Sequence, residues 1–162
     1  MWADGGCGLA VRYDHLTGNW IYYNLYAMGL PCGASNYMYA INTDPYTGKV
    51  WFCTQAGIAI YDAGTWTIWS QSNGMLPFQV QYFDVAFDSQ GNAWIATDSG
   101  LVKHNGTTWT IYDESNSSLI ANHINALTID SNDVLYLSTS NVTTAPYYGG
   151  VNITCGEIKH IV

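Results

Sequence analysis

Charge is scarce in this chain. Only 10% of its 162 residues are Asp, Glu, Lys or Arg, against the usual quarter. Four side chains are basic, Arg12, Lys49, Lys103 and Lys159, and they are scattered. With a formal net charge of −8 and no basic stripe, the chain has no means of neutralising a row of phosphates. Nucleic acid and anionic membrane surfaces are excluded as partners on that ground. Long apolar runs are also missing, so no segment reads as a membrane-spanning helix. Met1-Trp2-Ala3-Asp4 has neither the basic nor the apolar region of a secretory signal. The expectation is that a signal has been removed or that the chain is a piece of something longer.

Catalytic signatures are absent too. The sequence contains no Gly-x-Ser-x-Gly elbow, no His-Glu-x-x-His and no phosphate loop. His15, His104, His123 and His160 stand in unrelated contexts, and Asp113-Glu114 is a loop pair without a carboxylate of contrasting environment. No Cys-x-x-Cys or Cys/His cluster occurs, which removes the usual zinc site. The chain therefore reads as non-enzymatic, with no cofactor and no metal.

What is present is apolar and aromatic: 48% hydrophobic and 15% aromatic residues, enough for a real core. Asn, Ser, Thr, Gln and tyrosine hydroxyls must supply the polar surface, a composition suited to the outside of a cell. The four cysteines, Cys7, Cys32, Cys53 and Cys155, fit two disulfides in that setting. Three pairings are open, and the alternative is buried free thiols.

The dominant feature is repetition. Asp88-Ser-Gln-Gly-Asn-Ala-Trp94-Ile-Ala-Thr97 is followed by Gly100-Leu101 and Trp109-Thr-Ile-Tyr112. The same order runs through Asp44, Trp51-Phe-Cys-Thr54, Gly57-Ile58 and Trp66-Thr-Ile-Trp69, and again through Asp130, Tyr136-Leu-Ser-Thr139 and Gly150-Val151. Trp51 and Trp94 are 43 residues apart, and Trp94 and Tyr136 are 42. A period of about 40–45 residues built from short strands predicts propeller blades.

The third copy shows the plan. Phe83, Val85 and Phe87 alternate on one face, Ser89 to Asn92 make a turn, and Ala93 to Thr97 form the next strand. Gly100 opens the third strand, and Asn105-Gly106 is a hairpin turn into the fourth. The fold class is thus all-β: a single domain over 1–162, a propeller of about four blades, each a four-stranded antiparallel meander. Blade limits fall near 1–36, 37–79, 80–122 and 123–162. The first blade is incomplete, with no strand before Trp2. The last is degraded, with a long insertion from Ser140 to Gly149 and Glu157 to Val162 standing where the tryptophan strand belongs.

On these residues, and best over 37–139, the chain resembles the two-component-regulator propeller repeats. Their pattern reads Asp-x-x-Gly-x-hydrophobic-Trp-hydrophobic-x-Thr-x-x-Gly-Leu, then Trp-Thr-x-Tyr. The resemblance implies a propeller of the kind found in periplasmic sensor ectodomains and in large secreted or surface proteins of bacteria. Members usually carry more repeats. A four-bladed disc, an excerpt of a larger ring and a subunit completed by other copies all remain open.

A meander puts alternate turns on opposite edges. One edge carries short turns. The other carries Asn24 to Asn36, Ser70 to Gln79, Asp113 to Asn122 and Ser140 to Gly149. Binding residues concentrate in such loops, and Tyr26, Phe78, Tyr147 and Tyr148 are their non-repeating aromatics, suited to a protein or glycan partner. The repeated tryptophans read as core. Asp44, Asp88 and Asp130 read as turn caps rather than calcium ligands, since no closing Glu follows. Asn105, Asn116, Asn141 and Asn152 begin glycosylation sequons. The expected role is an extracellular, cell-surface or periplasmic binding or scaffold unit. A self-assembling subunit of a filament or oligomer joined through the open edge near Trp2 or Val162 is the alternative, and a periplasmic sensor ectodomain the third.

Overall fold

A computed structural model describes residues 2–4, 8–31, 37–76, 80–140 and 149–153. Every regular element among them is a strand. Sheet I holds β1 (Trp2–Asp4), β2 (Leu9–Asp14) and β3 (Asn19–Asn24). Sheet II holds β4 (Met38–Thr43), β5 (Val50–Thr54), β6 (Ile58–Asp62) and β7 (Thr65–Trp69). Sheet III holds β8 (Tyr82–Phe87), β9 (Ala93–Thr97), β10 (Gly100–His104) and β11 (Trp109–Tyr112). Sheet IV holds β12 (Ile124–Ile129), β13 (Leu135–Ser140) and β14 (Gly149–Ile153). Each sheet is an antiparallel meander in chain order. Among the described residues no sheet closes on itself.

The sheets pack face to face in sequence. Alternation decides which side chain meets which neighbour. Phe52, Ala59 and Trp66 of sheet II turn toward Ala10, Tyr23, Leu25 and Leu30 around sheet I. The opposite face of sheet II, with Trp51, Cys53, Ile58 and Ile60, meets Val85, Ile95 and Val102 of sheet III. Trp94 and Leu101 on the far face of sheet III meet Leu127, Leu135 and Leu137 of sheet IV. The repeated tryptophans are therefore inter-sheet core, as the repetition predicts. Strands β5 and β9 are buried along their whole length, which explains their unbroken apolar character.

The recurring polar residues serve the turns. Asp44 Oδ1 accepts from the amides of Tyr46 and Thr47, Asp88 Oδ1 from Gln90 and Asn92, and Asp130 Oδ1 from Asn132 and Val134. Thr54 Oγ1 donates to the Gly57 carbonyl at 2.8 Å, and Thr97 Oγ1 to that of Gly100 at 2.6 Å. Thr139 is buried at the same place in sheet IV. Gly100 is required there, because a Cβ would lie 2.5 Å from the Tyr112 carbonyl oxygen at a φ of +134°. Thr97→Val should leave the Gly100 carbonyl and Ser99 amide without the hydroxyl they share, lowering the unfolding free energy by about 1 kcal/mol in urea titration.

Cys53 corrects the expectation of two disulfides. Its thiol is free and wholly buried between sheets II and III. Burial pushes the thiol pKa far up, with the Asp84 charge adding to the effect, so the group stays protonated and unreactive. Cys7, Cys32 and Cys155 lie outside the described residues, as does the strand expected over 157–162.

Candidate functional site

The loop-rich edge is built more regularly than its sequence suggests. The chain leaves sheets I, II and III at Asn24, Ser70 and Asp113, and six residues on in each case stands a buried leucine: Leu30, Leu76 and Leu119. In sheet II's loop, Asn73 Oδ1 accepts from the Ser70 amide and its Nδ2 donates to the Ile68 carbonyl. In sheet III's loop, Asn116 does the same with the Asp113 amide and the Ile111 carbonyl. Asn24 Oδ1 caps the amide of Ala27 in the first. A buried leucine thus anchors each of the three loops, and an asparagine clamp holds those of sheets II and III. Reasoning from the sequence missed the leucines because the polar residues around them differ between copies. The signal available was their constant spacing from the preceding strand.

Of the loop aromatics, Tyr26 is 58% exposed, two residues past Asn24 at the place taken by Ser72 and Ser115 in the other loops. Buried Leu25 and Leu30 hold the turn beneath it, with the Leu30 amide donating to the Leu25 carbonyl at 3.0 Å. Phe78, Tyr147 and Tyr148 lie outside the described residues. Asn105 is exposed, and its Oδ1 accepts from the Thr107 and Thr108 amides in the β10–β11 turn. Asn116 is exposed as well, but a glycan on its Nδ2 would cost the loop the bond to Ile111. Asn141 lies outside the described residues, and Asn152 sits in β14.

The opposite edge, with only short turns, holds a cavity of about 450 Å³ between sheets II and III. Trp51, Trp69, Phe87 and His104 give it aromatic walls, while Asp44, Thr47, Lys49 and Asp62 stand among its polar lining. Trp51 meets Trp69 edge-on at 5.1 Å and Phe87 at 5.4 Å between ring centroids. Burial lowers the His104 pKa, so the ring is neutral near pH 7. Its Nδ1 accepts from the Gly106 amide at 3.3 Å, which leaves the proton on Nε2. Sequence reasoning placed nothing here, because every wall residue also belongs to the repeat.

One further polar site joins three sheets. Asp84 Oδ1 accepts from Asn42 Nδ2 of sheet II at 2.9 Å, and Asp84 Oδ2 accepts from the Leu127 amide of sheet IV at 3.1 Å. Burial raises its pKa, partly offset by the Leu127 and Val85 amides and by Asn42. The corresponding residues of β4 and β12 are Ala40 and Ala126. Each of these first strands carries a register irregularity at this point.

No family model matches the chain, and no curated protein matches it. Solved structures do. One is the extracellular domain of BT4673 from B. thetaiotaomicron, assigned as a hybrid two component system. It is 21% identical with a TM-score of 0.61, over 80% of this chain and 18% of that one. A second structure of the BT4673 extracellular domain is 22% identical with a TM-score of 0.60, over 80% of this chain and 18% of that one. The extracellular domain of BT3049 from the same organism, also assigned as a hybrid two component system, is 18% identical with a TM-score of 0.64. That match covers 84% of this chain and 18% of the other. The likeness is one of fold, and this chain spans under a fifth of the length of each of these structures.

Proposed function

We propose that the chain is a non-catalytic recognition unit of propeller type, working outside the cytoplasm, with sheets I to IV as successive blades of one domain. The observation that carries this reading is the loop-rich edge. Buried Leu30, Leu76 and Leu119 fix three connectors in one pattern and leave positions such as Tyr26 free to vary. A rigid scaffold with variable exposed positions is suited to binding and offers no reacting group. Its similarity to extracellular domains of proteins assigned as two component systems supports a place in a periplasmic or surface-exposed sensor, where the partner is a protein or a glycan.

The test is a glycan array probed with the parent chain and with Tyr26→Ala and Tyr147→Ala. Binding that falls about tenfold in either variant, with melting unchanged, supports the reading. Binding indifferent to both, or none at all, counts against a glycan at this edge.

A second reading rests on sheet I. Trp20 takes the position that Trp66 holds in sheet II, where Trp66 packs on Tyr23 of the preceding sheet. Trp20 is 51% exposed and Tyr22 66%. That face suits a further sheet, whether from the same protein or from another copy. Light scattering over a dilution series decides between them for the isolated chain. A constant mass near 17.9 kDa argues against self-assembly. Growth with concentration that Trp20→Lys abolishes would make assembly the primary role.

A further inference from the structure

We infer that Asn105-Gly106 is a self-modifying site: the folded β10–β11 turn promotes cyclisation of Asn105 to a succinimide with loss of ammonia, and His104 is the base. The chain holds two Asn-Gly pairs, Asn73-Gly74 and Asn105-Gly106, and the fold places them in different settings. Glycine leaves the attacking amide unhindered, because it has no Cβ. The amide nitrogen and the asparagine Cγ are members of the same five-membered ring, so the reaction is intramolecular from the start. What remains to be supplied is a base for the N–H, donors for the oxygen that gains charge, and a free leaving nitrogen.

All three meet at Asn105. The Gly106 amide donates to His104 Nδ1 at 3.3 Å, which places a general base on the attacking nitrogen. Asn105 Oδ1 accepts from the Thr107 amide at 3.1 Å, the Thr108 amide at 2.8 Å and the Thr107 hydroxyl at 3.0 Å. Three donors on one carbonyl oxygen form an oxyanion site. The residue is exposed, and among the described residues no hydrogen bond holds its Nδ2. His104 lies between the rings of Trp69 and Trp109, at 5.0 and 4.1 Å between centroids, so the imidazolium it forms meets aromatic surface. Asp44, Lys49 and Asp62 of sheet II are the charged groups that share its cavity.

The step balances within the turn. The Gly106 N–H proton passes to His104 Nδ1 as the bond from nitrogen to Asn105 Cγ forms. The Cγ–Nδ2 bond then breaks, and Nδ2 takes that proton back and leaves as ammonia. Solvent water opens the imide at one carbonyl or the other, giving aspartate or isoaspartate at this position. Either product puts a carboxylate into the turn beside the cavity that His104 and Gly106 line, and isoaspartate also lengthens the backbone by one atom. Asn73 is the internal control. Its Oδ1 has donors too, the amides of Ser70 and Met75. The Gly74 amide, however, donates to the Gln71 carbonyl at 3.0 Å, which is no base, and Asn73 Nδ2 is held by the Ile68 carbonyl at 2.8 Å.

The experiment holds the whole chain at neutral pH, folded and in guanidinium chloride, and follows both sites by peptide mass spectrometry, which reads the loss of ammonia and the gain of acid. Asn105 should convert about tenfold faster folded than unfolded, and about tenfold faster than folded Asn73. Between about pH 7 and 9 the parent rate should rise less steeply than hydroxide concentration, because His104 is already neutral there. His104→Phe should lose the advantage and follow hydroxide in proportion. Thr107→Val, at an exposed position, should slow conversion severalfold with melting unchanged. Slower conversion of Asn105 folded than unfolded, or equal folded rates at the two sites, overturns the assignment without any variant. A His104→Phe chain that melts like the parent and keeps its rate and pH profile overturns the role of His104.

Discussion

Asp88→Ala is expected to lower the unfolding free energy by about 3 kcal/mol, the largest single effect among the polar residues. The Asp88 carboxylate accepts from the amides of Gln90 and Asn92, from Asn92 Nδ2 and from Trp94 Nε1. Asn92 and Trp94 are buried, so their donors cannot turn to water when the acceptor goes. Lys103 stands 4.0 Å from the carboxylate and lies over the Trp94 ring at 4.7 Å. The loss would therefore loosen the wall that sheet III offers to sheet IV. Asp44→Ala makes the internal control. That aspartate holds only its own turn and leaves Trp51 unpaired, so about 1 kcal/mol is expected. Urea unfolding of the two variants side by side checks the difference, and equal losses would refute this account of the turn.

The same carboxylate gives the chain part of its acid sensitivity. Burial raises the Asp88 pKa, but the bonds from Asn92 and Trp94 and the charge of Lys103 outweigh it, and the net shift is downward. A folded-state pKa below the unfolded value means that the unfolded chain binds more protons across the interval between them. Stability is then complete above the unfolded aspartate value and is lost as pH falls through the folded one. Asp130 is lowered as well, through the amides of Val134 and Asn132. Thermal melts should therefore fall steeply below about pH 4, and Asp88→Asn should flatten that limb.

Asp84→Ala is the second large effect, expected at about 2 kcal/mol. Ala40 and Ala126 already occupy the corresponding positions of β4 and β12, so the strand accepts alanine there without strain. The cost is polar: the Leu127 amide and Asn42 Nδ2 lose the acceptor that ties sheet III to its two neighbours. Asn42 keeps its bond to the Val85 carbonyl at 2.9 Å, which limits the loss. The sign of the pH dependence is opposite to that of Asp88. The folded pKa of Asp84 is raised by burial, so its share of stability is full below the unfolded value and declines as pH rises through the folded one. Asp84→Asn should remove that decline. A variant whose melt against pH parallels the parent over the acid range would show that Asp84 is not buried as described.

The sequence alone determined the meander sheets, the aspartate turns, the threonine and glycine pairs and the tryptophan core. Each of these follows from a few neighbouring residues: period-two alternation, a side chain capping an amide two residues on, a turn that only glycine fits. Such features are set before any sheet meets another. The leucine anchors, the free thiol of Cys53, the three-sheet bond of Asp84 and the unpaired indole of Trp51 belong to the tertiary structure. Asp84 and Asn42 are 42 residues apart, and Asp84 and Leu127 are 43, so their meeting depends on how successive sheets stack. Trp51 differs from Trp94 by one residue in the preceding turn, a change that reads as noise in the repeat. It gains meaning only when the fold shows that Asp44 Oδ2 is taken by the Thr47 hydroxyl and the buried indole is left without an acceptor.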